Sequence, residues 1–103
     1  MNANYNKLFL LFGGWLKSQK YSRNTKKTYL QACKKFLLYL DNFDIRAIKN
    51  ADRGSLLKFL TKRGDKLYAQ NYINMRQSAL NVFYAWAYSN KYCQSNPMLD
   101  YGF

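Results

Sequence analysis

The sequence predicts an all-α domain of four main helices packed as two crossing pairs, helix one against two and helix three against four. Apolar residues recur at helical spacing through most of the 103 residues. The single proline stands at position 97, so nothing before it forces a helix to stop. No stretch alternates polar and apolar residues for long enough to make a convincing strand. Two Trp, seven Phe and ten Tyr supply bulk for one core, and the length suits one domain.

Helix one is expected from about Asn4 to Gln19, with Leu8, Phe9, Phe12, Trp15 and Leu16 on one face. Gly13 and Gly14 each lower helix propensity by roughly 1 kcal/mol. They serve either the close approach of a crossing helix or a kink. Helix two opens at Ser22 or Asn24, since either side chain caps a free N–H, and ends near Leu40. Thr25, Tyr29, Ala32, Cys33, Phe36, Leu37 and Leu40 form its buried stripe. Lys26, Lys27, Lys34 and Lys35 fall largely on the other side. Residues 41–51 form a connector from which Phe43, Ile45 and Ile48 plug the core.

Asp52 caps a short helix three, which turns Leu56, Leu57 and Leu60 inward and ends at Gly64. Helix four starts between Asp65 and Tyr68 and runs to about Tyr88. Tyr72, Met75, Ala79, Val82, Phe83 and Trp86 mark its inner face. Asn71, Asn74, Gln77, Ser78 and Asn81 lie on its polar faces. The segment from Asn90 to Pro97 ends the body, giving a helical domain over 1–98 and the start of a linker or C-terminal tail over 99–103.

Seventeen Lys and Arg stand against five Asp, with no Glu and no His, for a formal net charge of +12. Solubility does not need so much charge, so the balance asks for a polyanionic partner. Phosphate is the natural one. Residues 1–50 carry ten bases and two acids, and residues 51–103 carry seven and three. Two places are dense. Arg23, Lys26 and Lys27 open helix two, where the helix N-terminus adds its own positive field. Lys62, Arg63 and Lys66 surround the turn before helix four, with Arg76 farther along. The Asn and Gln side chains of helix four suit base edges in a groove.

The missing residue types exclude other chemistry. Without His or Glu, and with no cluster at metal-ligand spacing, no metal, cofactor or small-molecule ligand is expected. Arg23, Arg46, Arg53, Arg63 and Arg76 are dispersed along the helices. No tyrosine therefore has the cationic surroundings that phosphoryl transfer requires. Cys33 and Cys93 stand sixty apart. Cys33 is expected in the core, and a disulfide between the two stays open at this point. The apolar run Leu8 to Leu16 is broken by two glycines and is too short to cross a bilayer. No membrane partner is expected, and the expected location is cytoplasmic, with the nucleoid if the source is bacterial.

Three stretches resemble a known family. They are FGGWLKSQKYSRNTKKTYLQACKKFLLYL at 12–40, IRAIKNADRGSLLKFL at 45–60 and NMRQSALNVFYAWAYSNKYCQSNPM at 74–98. Ser22, Thr25 and Tyr29 fill the family's Ser-x-x-Thr-x-x-x-Tyr opening of helix two. Ser78, Ala79, Leu80, Phe83 and Tyr84 fill its Ser-Ala-Leu-x-x-Phe-Tyr run, and Asn96-Pro97 its closing pair. In order and spacing the chain is similar to the N-terminal core-binding domain of tyrosine recombinases and phage integrases, including Xer-type enzymes.

That resemblance implies a four-helix SAM-like fold. It also implies double-stranded DNA as partner, clamped between this domain and a catalytic domain. By position, Thr25, Lys26 and Lys27 would meet phosphates. Asn71, Asn74, Arg76 and Gln77 would lie in or beside the groove. Neighbouring recombinase protomers and a covalently linked catalytic domain are further implied partners. Asn81 stands where the family carries Arg. The family's catalytic arginines, lysine and nucleophilic tyrosine belong to a domain that these stretches do not include, so the chain is expected to bind DNA without cutting it.

Three functions follow. The first is DNA binding as the non-catalytic domain of a site-specific recombinase or integrase. The second is a free-standing DNA-binding regulator built from this domain. The third is a helical protein-interaction domain, which the charge disfavours. Only the resemblance selects duplex DNA over RNA. The ending LDYGF reads as the start of an interdomain linker.

Overall fold

Asn2, Ser22 and Asp52 each start a helix in the same way. Each side chain accepts a hydrogen bond from the backbone N–H three residues on, at Tyr5, Thr25 and Ser55, which satisfies one of the donors left open at a helix N-terminus. In the computed structural model, which describes residues 1–102, these caps open α1 (Ala3–Lys17), α2 (Arg23–Asn42) and α3 (Arg53–Thr61). A single 3-10 turn spans Ile48–Asn50. Strands β1 (Lys62–Arg63) and β2 (Lys66–Leu67) form a small antiparallel hairpin, α4 covers Gln70–Ser89, and α5 covers Pro97–Asp100. Asn96 caps α5 by accepting from the Met98 N–H. The tail expected over 99–103 therefore includes the last residues of α5, and Phe103 lies outside the described residues. The fold is helical, as expected, with the hairpin as an addition.

Both expected pairs, one with two and three with four, are present, and a further contact joins them. The two longest helices, α2 and α4, make the most extensive contact; α1 packs on α2, and α3 packs on α4. The reason is aromatic. Phe36 of α2 meets Phe83 and Tyr84 of α4 with ring centroids 6.2 and 5.8 Å apart, edge to face. Phe12 of α1 meets Phe83 and Trp86 at 5.3 Å each. Rings so placed add attraction beyond the area they bury.

Gly13 explains the close approach of α1 and α2. A Cβ there would meet Leu30 Cδ1 at 3.3 Å, while one on Gly14 would meet nothing. Of the two roles open to the pair, close approach holds at Gly13, and α1 runs unbroken through both.

Several inward expectations shift. Phe43 is exposed and lies against Tyr39 with centroids 4.8 Å apart, with Lys58 Nζ 5.6 Å from its ring. Of the three expected plugs, Ile48 alone is buried and Ile45 is half-buried. Leu57 is exposed and Phe59 takes the inward place on α3. On α4 the buried stripe is Arg76, Ala79, Leu80, Phe83, Tyr84, Trp86 and Ala87. Tyr72, Met75 and Val82 form its half-buried border. The inner face is thus rotated from the expected one, because α3 covers one flank of α4 as well as α2 covering the other.

Helix three ends at Thr61, earlier than Gly64. Gly64 instead leads a two-residue hairpin loop at φ +62°, which a side chain would disfavour and which suits a hairpin of this length. Tyr68 N–H donates to the Thr61 carbonyl at 2.8 Å and closes the base of the hairpin.

Phenols hold the connector. Tyr5 Oη donates to the Ile45 carbonyl, Tyr84 Oη to the Ile48 carbonyl at 3.0 Å, and Tyr39 Oη to the Ser55 carbonyl at 3.1 Å. Burial, then the Asp41 carboxylate, pushes Tyr5 up from the ordinary 10 to about 12. Burial likewise holds Tyr84 well above the ordinary value. The unfolded chain then loses these protons first, so this stability is complete below about pH 10 and drains away as pH rises towards 12. Urea unfolding measured from neutral pH into that window is expected to show the decline. Tyr5→Phe should make it shallower, and an unchanged slope would contradict the assignment.

Trp86 is 5% exposed and touches Phe12, Phe83 and Tyr92 rings at 5.3, 6.0 and 5.1 Å. Trp86→Ala is expected to cost roughly 3–5 kcal/mol in the same assay.

Candidate nucleic-acid interface

Helix α4 carries one formal charge in twenty residues, and that charge, Arg76, faces inward. Its exposed stripe is amide and hydroxyl: Gln70, Asn71, Asn74, Ser78, Asn81 and Ser89. Neutral donors and acceptors of this kind match base edges, whereas cations match phosphates. Asn74 is pre-set, since its Oδ1 accepts from Gln70 Nε2 at 2.9 Å, leaving its Nδ2 to donate outward. Gln77 is half-buried at the border of the stripe.

Beside this stripe, α2 and α4 enclose an open groove of about 320 Å³. Asn24, Thr25, Thr28 and Tyr29 line it from α2, and Asn74, Met75 and Ser78 from α4. Thr25 and Asn74, separated by almost fifty residues in sequence, are thereby brought to one place. Thr25 Oγ1 accepts from Ser22 Oγ at 2.9 Å, so its hydroxyl is tied into the cap of α2.

Arg23 and Lys27 are exposed at the same end of α2. Lys26 differs from Lys27. Its Nζ donates to the Lys17 carbonyl at 2.8 Å, which places a cation on the negative end of α1 and pins that helix to α2. Lys26 is half-buried and structural as well as cationic.

The second cationic cluster rides on the hairpin. Lys62, Arg63 and Lys66 are all exposed, and Arg63 and Lys66 are direct cross-strand partners. Like charges directly opposite each other destabilise a ladder, and an anion between them relieves the repulsion. The hairpin leads into α4 within three residues, so its cations closely precede Gln70 and Asn71 in the chain. Among the described residues, Arg23, Lys27, Lys62, Arg63 and Lys66 have no Asp within ion-pair distance; Asp41 is taken by the Met1 amino group at 3.6 Å.

Arg76 corrects the sequence expectation. It does not stand on the outward face of α4 with Asn74. Its guanidinium is enclosed by Phe59, Tyr68 and Tyr72, with its carbon 4.0, 4.7 and 5.0 Å from the ring centroids. Nη1 donates to the Phe59 carbonyl at 2.6 Å. Arg side chains stack well on aromatic faces, and a charged residue between apolar neighbours gives no sequence signal of such an enclosure. Two features add to the site read from the sequence. One is Lys35, whose Nζ lies 3.5 Å from Tyr72 Oη. The other is the hairpin itself, for which Gly64-Asp65 between Lys-Arg and Lys-Leu is the available signal.

Cys33 and Cys93 are both buried free thiols, and burial pushes both away from the thiolate. No group of three or more Cys or Asp among the described residues is placed to hold a metal ion. No helix among them is long and apolar enough to cross a membrane.

The chain matches the family model for the phage integrase N-terminal SAM-like domain over residues 10–91. No curated protein and no solved structure matches it. The match takes in α1 from its middle, both cationic clusters and all but the last turns of the fold. With most of its length inside that match, the chain belongs to the family of phage integrase N-terminal SAM-like domains.

Proposed function

We propose that this domain holds duplex DNA as the non-catalytic core-binding part of a site-specific tyrosine recombinase or integrase. One observation carries the proposal: the uncharged amide stripe of α4 adjoins two exposed cationic clusters that have no carboxylate partners among the described residues. The clusters grip phosphates on either side and the stripe meets base edges in the groove. Arg23, Lys27, Lys62, Arg63 and Lys66 supply the grip. Thr25, Asn71 and Asn74 face the DNA groove, with Gln77 at the border of the stripe. Family membership supports duplex DNA and recombination as the setting. Neighbouring protomers and a catalytic domain complete the machine, and the chemistry of strand exchange belongs to that domain. The arginines here are spread over separate patches and one interior site, so they do not converge on a transferring phosphate.

Titration of labelled duplex at several salt concentrations tests this. Affinity is expected to fall steeply with salt, each neutralised phosphate adding about 0.9 to the log–log slope. Duplex binding that ignores salt, or no binding at low salt, rejects the proposal.

The two kinds of residue should separate. Lys27→Ala and Arg63→Ala are expected to weaken binding to every sequence alike, each reducing the slope by about 0.9. Asn74→Ala should act mainly on duplexes selected from a random pool, by roughly 1–3 kcal/mol. Equal losses of Asn74→Ala on selected and scrambled duplexes would make α4 a backbone clamp.

A further inference from the structure

The interior cation of α4 borders a second cleft, of about 280 Å³, formed by the later half of α2, the end of α3, the hairpin and the start of α4. Lys35, Lys62 and Arg76 line it and no Asp does. Lys35 and Lys62 are exposed, while Arg76 is 6% exposed. Two features make this more than a cationic surface. The Arg76 Nε–H is buried and has no acceptor, which is a costly state for an ionic donor. The three rings around the guanidinium offset part of that cost, yet none accepts from Nε. Secondly, burial alone would raise the Tyr72 phenol, but Arg76 and then Lys35 hold it below its ordinary value. That is the mark of a local positive potential that no carboxylate matches.

We propose that this cleft binds a phosphate oxyanion, with Lys35 and Lys62 at its mouth and Arg76 at its floor. Three donors from three elements suit a tetrahedral anion, and a guanidinium with a spare N–H suits its oxygens. The occupant is a backbone phosphodiester of the bound duplex. That choice of source rests on the function proposed above; the anion site does not.

The test follows the Arg76 Nε–H resonance of isotope-labelled protein by NMR. Inorganic phosphate is titrated at constant ionic strength against chloride, and a short duplex is titrated separately. Phosphate is expected to move the resonance saturably and chloride to leave it in place. Lys35→Met and Lys62→Met, which keep the aliphatic stems, should each weaken phosphate binding about threefold to fivefold. Lys7→Met, outside the cleft, should not. A duplex that moves the same resonance supports the phosphodiester as occupant. A duplex that binds while leaving it still, with phosphate moving it, overturns that occupant and assigns the cleft to free phosphate. No duplex binding with a phosphate response sinks the function proposed above and supports the site. A resonance indifferent to phosphate, or one that follows chloride equally, overturns the site and leaves Arg76 a purely structural residue.

Discussion

Short helices and irregular connectors leave backbone carbonyls unpaired, and a folded interior tolerates few of them. In this domain distant side chains supply a partner or add a second one, as at Ile48, whose carbonyl also accepts from the Ala51 N–H. The carbonyls of Ile45, Ile48, Ser55 and Phe59 accept from Tyr5, Tyr84, Tyr39 and Arg76. Those four donors sit on α1, α4, α2 and α4, so every long helix contributes to fixing the segment that includes the connector and α3. The placement of the hairpin depends on this. It begins where α3 ends, and the last anchored carbonyl, at Phe59, lies just ahead of Lys62. The exposed cations are thereby attached to a fixed base instead of a loose loop.

The same economy separates charge from core. A net charge of +12 on 103 residues repels itself. The aromatic cluster of Phe12, Phe36, Phe83, Tyr84 and Trp86 opposes that repulsion from within. The one cation it admits on α4 is wrapped in rings and bonded to a carbonyl. The others stand at or near the surface, among them those at the head of α2 and on the hairpin, leaving the outward face of α4 neutral.

Much of this was legible before any coordinates. Asp52 located one helix start and the pair Ser22 or Asn24 bracketed another, because a polar side chain ahead of an apolar period has few other uses. The stripe of α2 was legible because its lysines and apolar residues segregate cleanly. Helix α4 was less so: Tyr and Met sit at both borders of a wide apolar face, and periodicity alone does not fix its rotation. The two-residue strands left no signal but the Gly64-Asp65 turn, because so short a ladder has no alternation to show. Exposure of Phe43 and Leu57 was likewise unreadable, since one-turn differences in where a connector folds decide it. At the interface, the positions of Arg23, Lys27 and the hairpin bases follow from local sequence. The burial of Arg76 does not, because its partners come from α3 and from residues one turn and two turns back on its own side of the fold.

The neutral stripe of α4 has an evolutionary consequence. Substitutions at exposed helix positions away from caps and core usually change stability by no more than about 0.5 kcal/mol. Asn74 and Asn81 occupy such positions, and neither carries charge. One amide or hydroxyl can therefore replace another there with folding intact. On the proposed function, base preference is then open to change by single substitutions, on a scaffold that the buried rings and carbonyl anchors hold fixed.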